Sequence, residues 1–191
     1  MPQAAFTPRR WTRAEYDRLV GLGLFEGESI ELIGGQLLVA EPRSPEHASA
    51  IGQIYPLLHR LLPAGWIVRS QTPIALDDES EPEPDLAVVP GTHADYLREH
   101  PRRPALVIEV AHTSLAFDRG PKASLYARGA VEDYWIANVT EHALEIHRDP
   151  VRHPGTPYGW RYRSVERLTA PAVVTPLALP SLRIPVAALG L

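Results

Sequence analysis

Pro84-Asp85-Leu86-Ala87-Val88-Val89, followed downstream by Ala105-Leu106-Val107-Ile108-Glu109-Val110-Ala111, decides how this chain is read. Glu109 has four apolar residues before it and two after, in a run that predicts a strand buried on both faces. A carboxylate in such a strand is costly unless it is paired or bound to a cation. Asp85 opens the earlier apolar run, 24 positions upstream, which leaves room for a strand, a loop and a neighbouring strand. The two carboxylates can therefore converge at one sheet edge, and a converging pair suits a hard divalent cation such as Mg²⁺. Taken alone, Asp85 also reads as a turn residue capping its strand.

Lys122 is the only lysine among 19 basic residues. Wherever else a cation is needed, the chain uses arginine. A compact ammonium can approach a phosphate oxygen or a coordinated water, a task to which the broad guanidinium fork is poorly shaped. Gly120-Pro121 reads as N-cap and first helical residue, which predicts Lys122 in the first turn of a helix. A cation there opposes the helix dipole. The ammonium and the helix N-terminus together then predict an anion site of the kind a phosphate satisfies.

Pro-Asp, then Glu within a strand, then Lys resembles the PD-(D/E)XK nuclease superfamily. A longer set of residues is similar to the Uma-two family of restriction-endonuclease-like proteins. It comprises Ile30-Glu31-Leu32-Ile33-Gly34-Gly35, Ser44-Pro45-Glu46-His47, Pro84-Asp85, Val107-Ile108-Glu109-Val110, Asp118 with Lys122, and the run from Tyr126 to Trp135. The resemblance covers roughly residues 10 to 150. It implies an α/β fold of the α+β, mixed-sheet kind: a restriction-endonuclease-like core with flanking helices and an N-terminal β-hairpin. It also implies metal-dependent hydrolysis of DNA by Asp85, Glu109 and Lys122, with Glu31 as an accessory acid. Mg²⁺ or Mn²⁺ would be held by Asp85, Glu109 and the backbone carbonyl of Val110. The superfamily's Glu-X-Lys pattern would put lysine at position 111, where this chain has Ala111, so Lys122 must reach the same space from the following helix.

At 191 residues the chain suits one domain and can bury a substantial core. Residues 1–10 read as a loose tail, and 150–191 as a C-terminal extension that packs on the core or forms a dimer interface. The absence of cysteine excludes disulfides and thiolate metal sites. No opening segment has the regions of a signal peptide and no apolar run reaches membrane-spanning length, so a cytoplasmic protein with no membrane partner is expected. A formal charge of −4 argues against a protein that coats nucleic acid nonspecifically, though a basic groove can coexist with an acidic remainder.

Along the chain, Thr12 with Glu15 reads as a capping box and predicts a helix to about Val20. Arg9, Arg10, Arg13 and Arg18 form either a solvated face or a phosphate contact. Glu28–Ile33 and Gln36–Ala40 flank Gly34-Gly35, a two-residue hairpin signal. By pattern alone Glu31 is an ordinary exposed strand residue. Ser44-Pro45-Glu46 opens a helix to about Leu62, with His47 in its first turn either on the surface or facing the site. Trp66–Leu76 reads as a strand interrupted by Pro73. Residues 77–83 pack five acids into seven positions, read as a solvated loop. A short helix is expected over 92–100, followed by a basic loop with Arg102 and Arg103. Asp118 and Lys122 are spaced for a local ion pair, and the Tyr126 hydroxyl is expected to turn toward the site. Glu132–Asn138 and Ala143–Arg148 read as strands with Trp135 in the core, and Tyr158–Leu168 as an exposed strand. His142, His147 and His153 are expected at the surface.

These readings favour a divalent-metal-dependent endonuclease acting on DNA as a homodimer, since cutting both strands of a duplex commonly uses two sites. A catalytically silent nucleic-acid-binding or interaction domain on a nuclease fold is the alternative, and an enzyme acting on a small phosphoester is a third. No Gly-rich phosphate loop and no Gly-X-Ser-X-Gly elbow is present.

Overall fold

The computed structural model describes residues 7–40 and 44–191. The first part of the expected loose tail, residues 1–6, lies outside the described residues.

Helix α1 (Arg13–Gly21) is capped by Thr12 and Glu15 in the expected box. Hairpin strands β1 (Ile30–Ile33) and β2 (Gln36–Val39) turn at Gly34-Gly35, both with positive φ, as a tight two-residue connection requires. Helix α2 (Pro45–Leu61) starts at the Ser44 N-cap with Pro45 in its first turn. Strands β3 (Trp66–Ser70), β4 (Leu86–Pro90), β5 (Leu106–Ala111), β6 (Asp133–Asn138), β7 (Ala143–Arg152) and β8 (Trp160–Leu168) follow. Among the described residues they form one six-stranded sheet in the order β3-β4-β5-β6-β7-β8. Only the β5–β6 pair is parallel, because the chain between them crosses over through helices α3 (Leu115–Phe117) and α4 (Ala123–Arg128).

Strand alternation sorts the core into two layers. Leu106, Ile108 and Val110 of β5 join Leu86, Val88, Trp135, Leu144 and Ile146 on the face covered by α2 and the C-terminal segment. Val107 and Ala111 point the other way, with Ala87, Tyr134, Ile136 and Tyr162, under α4 and Ile33 of the hairpin. Glu109 alternates onto this second face by register alone. The C-terminal extension packs on the core: Val174, Leu179, Ile184, Val186 and Leu189 are all buried there. Among the described residues no helix is long and apolar enough to cross a membrane.

Several local expectations are corrected. The acidic stretch 77–83 is not a solvated loop. It runs along the hairpin, with Glu81 N–H donating to Leu32 O at 2.7 Å, and Ser80 and Glu81 are buried. Three of its acids meet arginines: Arg10 bonds Glu79, Arg13 lies 3.7 Å from Glu81, and Arg128 of α4 bonds Asp77 at 2.6 Å. Strand β3 stops at Ser70, where Gln71 takes positive φ, so the chain to Leu76 leaves the sheet before Pro73. The helix expected over 92–100 is one short turn, His93–Tyr96. Of the three histidines expected at the surface, His147 is 5% exposed, set tilted against Tyr134 and edge-on to Tyr162. Gly120-Pro121 does not begin a helix. Helical backbone already runs from Leu115, and Asp118–Lys122 form a widened π turn closed by the Ala123 N–H on Asp118 O. Proline cannot donate and its ring crowds the preceding turn, so an i→i+5 turn is a physical way to pass it.

Candidate active site

The site is built where the β4–β5 ladder ends. The last registered pair in this direction is Leu86↔Ile108. One residue outside it, Asp85 replaces the missing strand partner: its Oδ2 accepts the Val110 N–H at 2.8 Å, and its own N–H points to Glu109 Oε2 at 3.3 Å. The two acids expected to converge are thus locked together through the backbone at the head of adjacent strands.

Lys122 and Tyr126, one helical turn apart, both reach Glu109 Oε1, the ammonium at 2.9 Å and the hydroxyl at 2.6 Å. The expected local ion pair of Lys122 with Asp118 is not formed. Asp118 instead accepts from Ser114 Oγ at 2.5 Å, buried in the π turn. The anion site expected at a helix N-terminus is also overturned: Lys122 lies inside a continuous helical run, and its ammonium faces the strand carboxylate. Glu31 accepts the Glu83 N–H at 3.0 Å and lines the same cleft.

His47 resolves toward the site. Its Nε2 lies 2.9 Å from Asp85 Oδ2, while its own backbone N–H is capped by Ser44 Oγ. Ser44 Oγ also lies 3.2 Å from His112 Nδ1, tying the start of α2 to the loop after β5. Together these residues line a cleft of about 440 Å³, whose walls also include Ile33, Leu38, Val39, Ala40 and Phe117.

Burial sets the electrostatics. It pushes the Glu109 carboxyl well above the usual range; Lys122 pulls against this, while Asp85 and Asp118 add to it. For Lys122 burial works against the charge, but Glu109 and the neighbouring acids outweigh it and hold the ammonium above its ordinary value. Burial also raises Asp85, but the His47 contact and the Val110 N–H overcome it and leave that carboxyl below its ordinary value. Asp118 stays raised, chiefly by burial.

These groups fit a divalent cation. Both hydrogen bonds to Asp85 fall on Oδ2, which leaves Oδ1 to meet an ion, and the crowded carboxylates of Asp85 and Glu109 gain from added positive charge. The Val110 N–H is already taken by Asp85. Among the described residues no group of three or more histidine and acidic side chains is arranged to hold a metal. An ion here would therefore complete its shell with backbone carbonyl and water, as Mg²⁺ readily does.

Asp85, Glu109, Lys122 and Glu31 all line this cleft, and Val110 adjoins it through its N–H on Asp85. Sequence reasoning did not single out the Asp85 contact of His47, the Ser114–Asp118 bond or the apolar wall. Only His47 left a signal, its position in the first turn after Ser44-Pro45.

A mixed sheet flanked by helices, with paired acids at the head of two adjacent strands and a lysine brought in from the crossover, defines a nuclease-like α/β fold. The chain belongs to the Uma2 family, described as "Putative restriction endonuclease", whose model matches residues 13–187. A crystal structure of a "putative nuclease belonging to DUF820" from Anabaena variabilis ATCC 29413 is similar at 14% identity, with a TM-score of 0.67 over 94% of this chain and 97% of that one. No curated protein matches significantly.

Proposed function

We propose that this protein is a divalent-metal-dependent phosphodiesterase that hydrolyses DNA in the cytoplasm, as a single domain spanning the chain. The observation that supports this reading most is the buried Asp85–Glu109–Lys122 cluster opening into a cleft. A sheet carrying only a structural role would not place two acids and the only lysine of the chain at a solvent-accessible strand end.

Asp85, Glu109 and the Val110 carbonyl would hold Mg²⁺ or Mn²⁺, which supplies Lewis-acid charge to the phosphate and lowers the cost of ionising water. Lys122 stands beside Glu109, where its ammonium can orient the attacking water or neutralise charge developing on a phosphate oxygen. Tyr126 and Lys122 fix one oxygen of Glu109 and leave the other turned toward Asp85. His47 holds Asp85 by one oxygen in the same way. Glu31 contributes negative charge from the hairpin side of the cleft.

Cleavage of supercoiled plasmid and of a labelled single strand, with Mg²⁺, Mn²⁺ or chelator, tests the proposal beside Lys122→Ala. Metal-dependent cutting by the parent, lost in the variant, is the expected result. Isothermal titration with Mg²⁺ or Mn²⁺ should show the parent's binding abolished in Glu109→Gln, and unchanged affinity would remove the metal assignment. A folded parent that binds the ion but cuts neither substrate would favour a silent domain on this fold.

A further inference from the structure

The cleft is poorly equipped to follow a duplex. Its described lining carries five carboxylates (Glu31, Glu83, Asp85, Glu109 and Asp118) against one ammonium, and that ammonium is bonded to Glu109. Among the described lining residues there is no arginine. Arg9, Arg10 and Arg13 are engaged with Glu15, Glu79 and Glu81. Duplex binding draws most of its affinity from rows of Lys and Arg along the phosphate backbone. Such a row is missing from the described walls.

What the walls offer instead is apolar surface from two separate elements. Val39, at the end of β2, is 65% exposed, and Phe117, at the end of α3, is 36% exposed; Leu38 and Ala40 extend the hairpin side. Phe117 alone would be an ordinary exposed side chain; what marks it is that it shares one cleft with Val39 and the acid cluster. The volume of about 440 Å³ has the scale of one small ligand, not of a double helix. Single strands are held through bases stacked on aromatic side chains, a contact a duplex cannot make because its bases are already stacked on each other.

We infer that, in the nuclease proposed above, the cleft accepts one unstacked nucleotide of single-stranded DNA. Its base packs on Phe117 and Val39, and its phosphate reaches Asp85 and Glu109 through the divalent cation proposed above. Phe117 is then the residue that selects single-stranded over paired substrate. The Leu38–Ala40 end of the hairpin supplies the opposing apolar contact.

The test is fluorescence anisotropy of one labelled oligonucleotide, free or annealed to its complement. It is run with Ca²⁺ in place of Mg²⁺, for the parent, Phe117→Ala and Phe117→Tyr. The parent should bind the single strand at least about tenfold more tightly than the duplex; Phe117→Ala should lose most of that preference and Phe117→Tyr should keep it. Thermal melting checks that each variant is folded. Duplex bound as tightly as the single strand, equal preference in parent and Phe117→Ala, or no binding of either form overturns the inference. Metal-dependent cutting of duplex that ignores Phe117 but needs Lys122 leaves the nuclease reading standing alone. Phe117-dependent binding of the single strand without cutting removes the nuclease reading and keeps the binding site.

Discussion

Glu109 carries more of this molecule's chemistry than any other side chain, because one buried carboxylate answers to a lysine, a tyrosine and a backbone amide at once. A hydrogen bond to a charged, buried acceptor is worth more than a neutral one, about 1.5–3 kcal/mol. Tyr126→Phe should therefore lower stability by about 1.5–3 kcal/mol in urea denaturation while leaving the fold and Lys122 in place. A loss under about 0.5 kcal/mol would mean that the hydroxyl does not secure Glu109. The aspartate has its own second support. The His47 contact and the Val110 N–H occupy the same Asp85 oxygen, so orientation is imposed from a helix and from a strand together.

The segment from Leu76 to Glu83 shows how an element acquires a role that composition conceals. A run of acids is read as solvated because charge normally seeks water, yet here antiparallel backbone contacts with the hairpin and nearby arginines draw it inward. Glu81 bears the cost: burial, with Asp17 adding to it, pushes its carboxyl up to about 7, only partly offset by Arg13. Because the folded state holds this proton more tightly than the unfolded chain, the associated stability is full below about pH 4.5 and is lost as pH rises through about 7. Buried His147, brought down to about 4, works in the opposite sense and favours the fold as pH rises from about 4 to 6.5. Glu81→Gln isolates the first effect. Its melting temperature should exceed the parent's by a few degrees at pH 8 and match it near pH 5. An equal difference at both values would show that ionisation of Glu81 is not what the substitution relieves.

At the scale of the whole molecule, one buried acid adds polar ties to the C-terminal extension that apolar packing already seats on the core. Asp133 accepts from Trp135, from Arg148 and from the Leu177 N–H, and Arg148 reaches on to Thr175 O. Asp133→Ala removes all four bonds, two of them from Arg148, and leaves a part-buried guanidinium without its partner, so a loss of about 3–5 kcal/mol is expected. Limited proteolysis should then cut first after about residue 170, where the extension leaves β8. Charge distribution gives a second test at this scale. With one lysine in the described cleft, binding of a single strand should depend weakly on salt, with a log–log slope of about −1 to −2. A slope steeper than about −4 would reveal a basic track elsewhere on the surface.

The sequence by itself marked most of the elements and the acids and lysine that line the cleft. Strict local signals sufficed: the Thr12 and Ser44 caps, the Gly34-Gly35 turn, and an acid set in an apolar strand whose burial demands a partner. These depend on a few neighbouring residues, so a linear reading captures them. Only the tertiary structure decided the rest. That Lys122 answers Glu109 instead of Asp118, that His47 grips Asp85, and that the acidic stretch docks on the hairpin with Glu81 buried follow from contacts between residues 13 to 52 positions apart. The π turn at Asp118–Lys122 was hidden for the same reason. Gly-Pro ordinarily marks a helix start, and here the packing of α4 against β7 and β8 and the bonds to Glu109 outweigh that local preference.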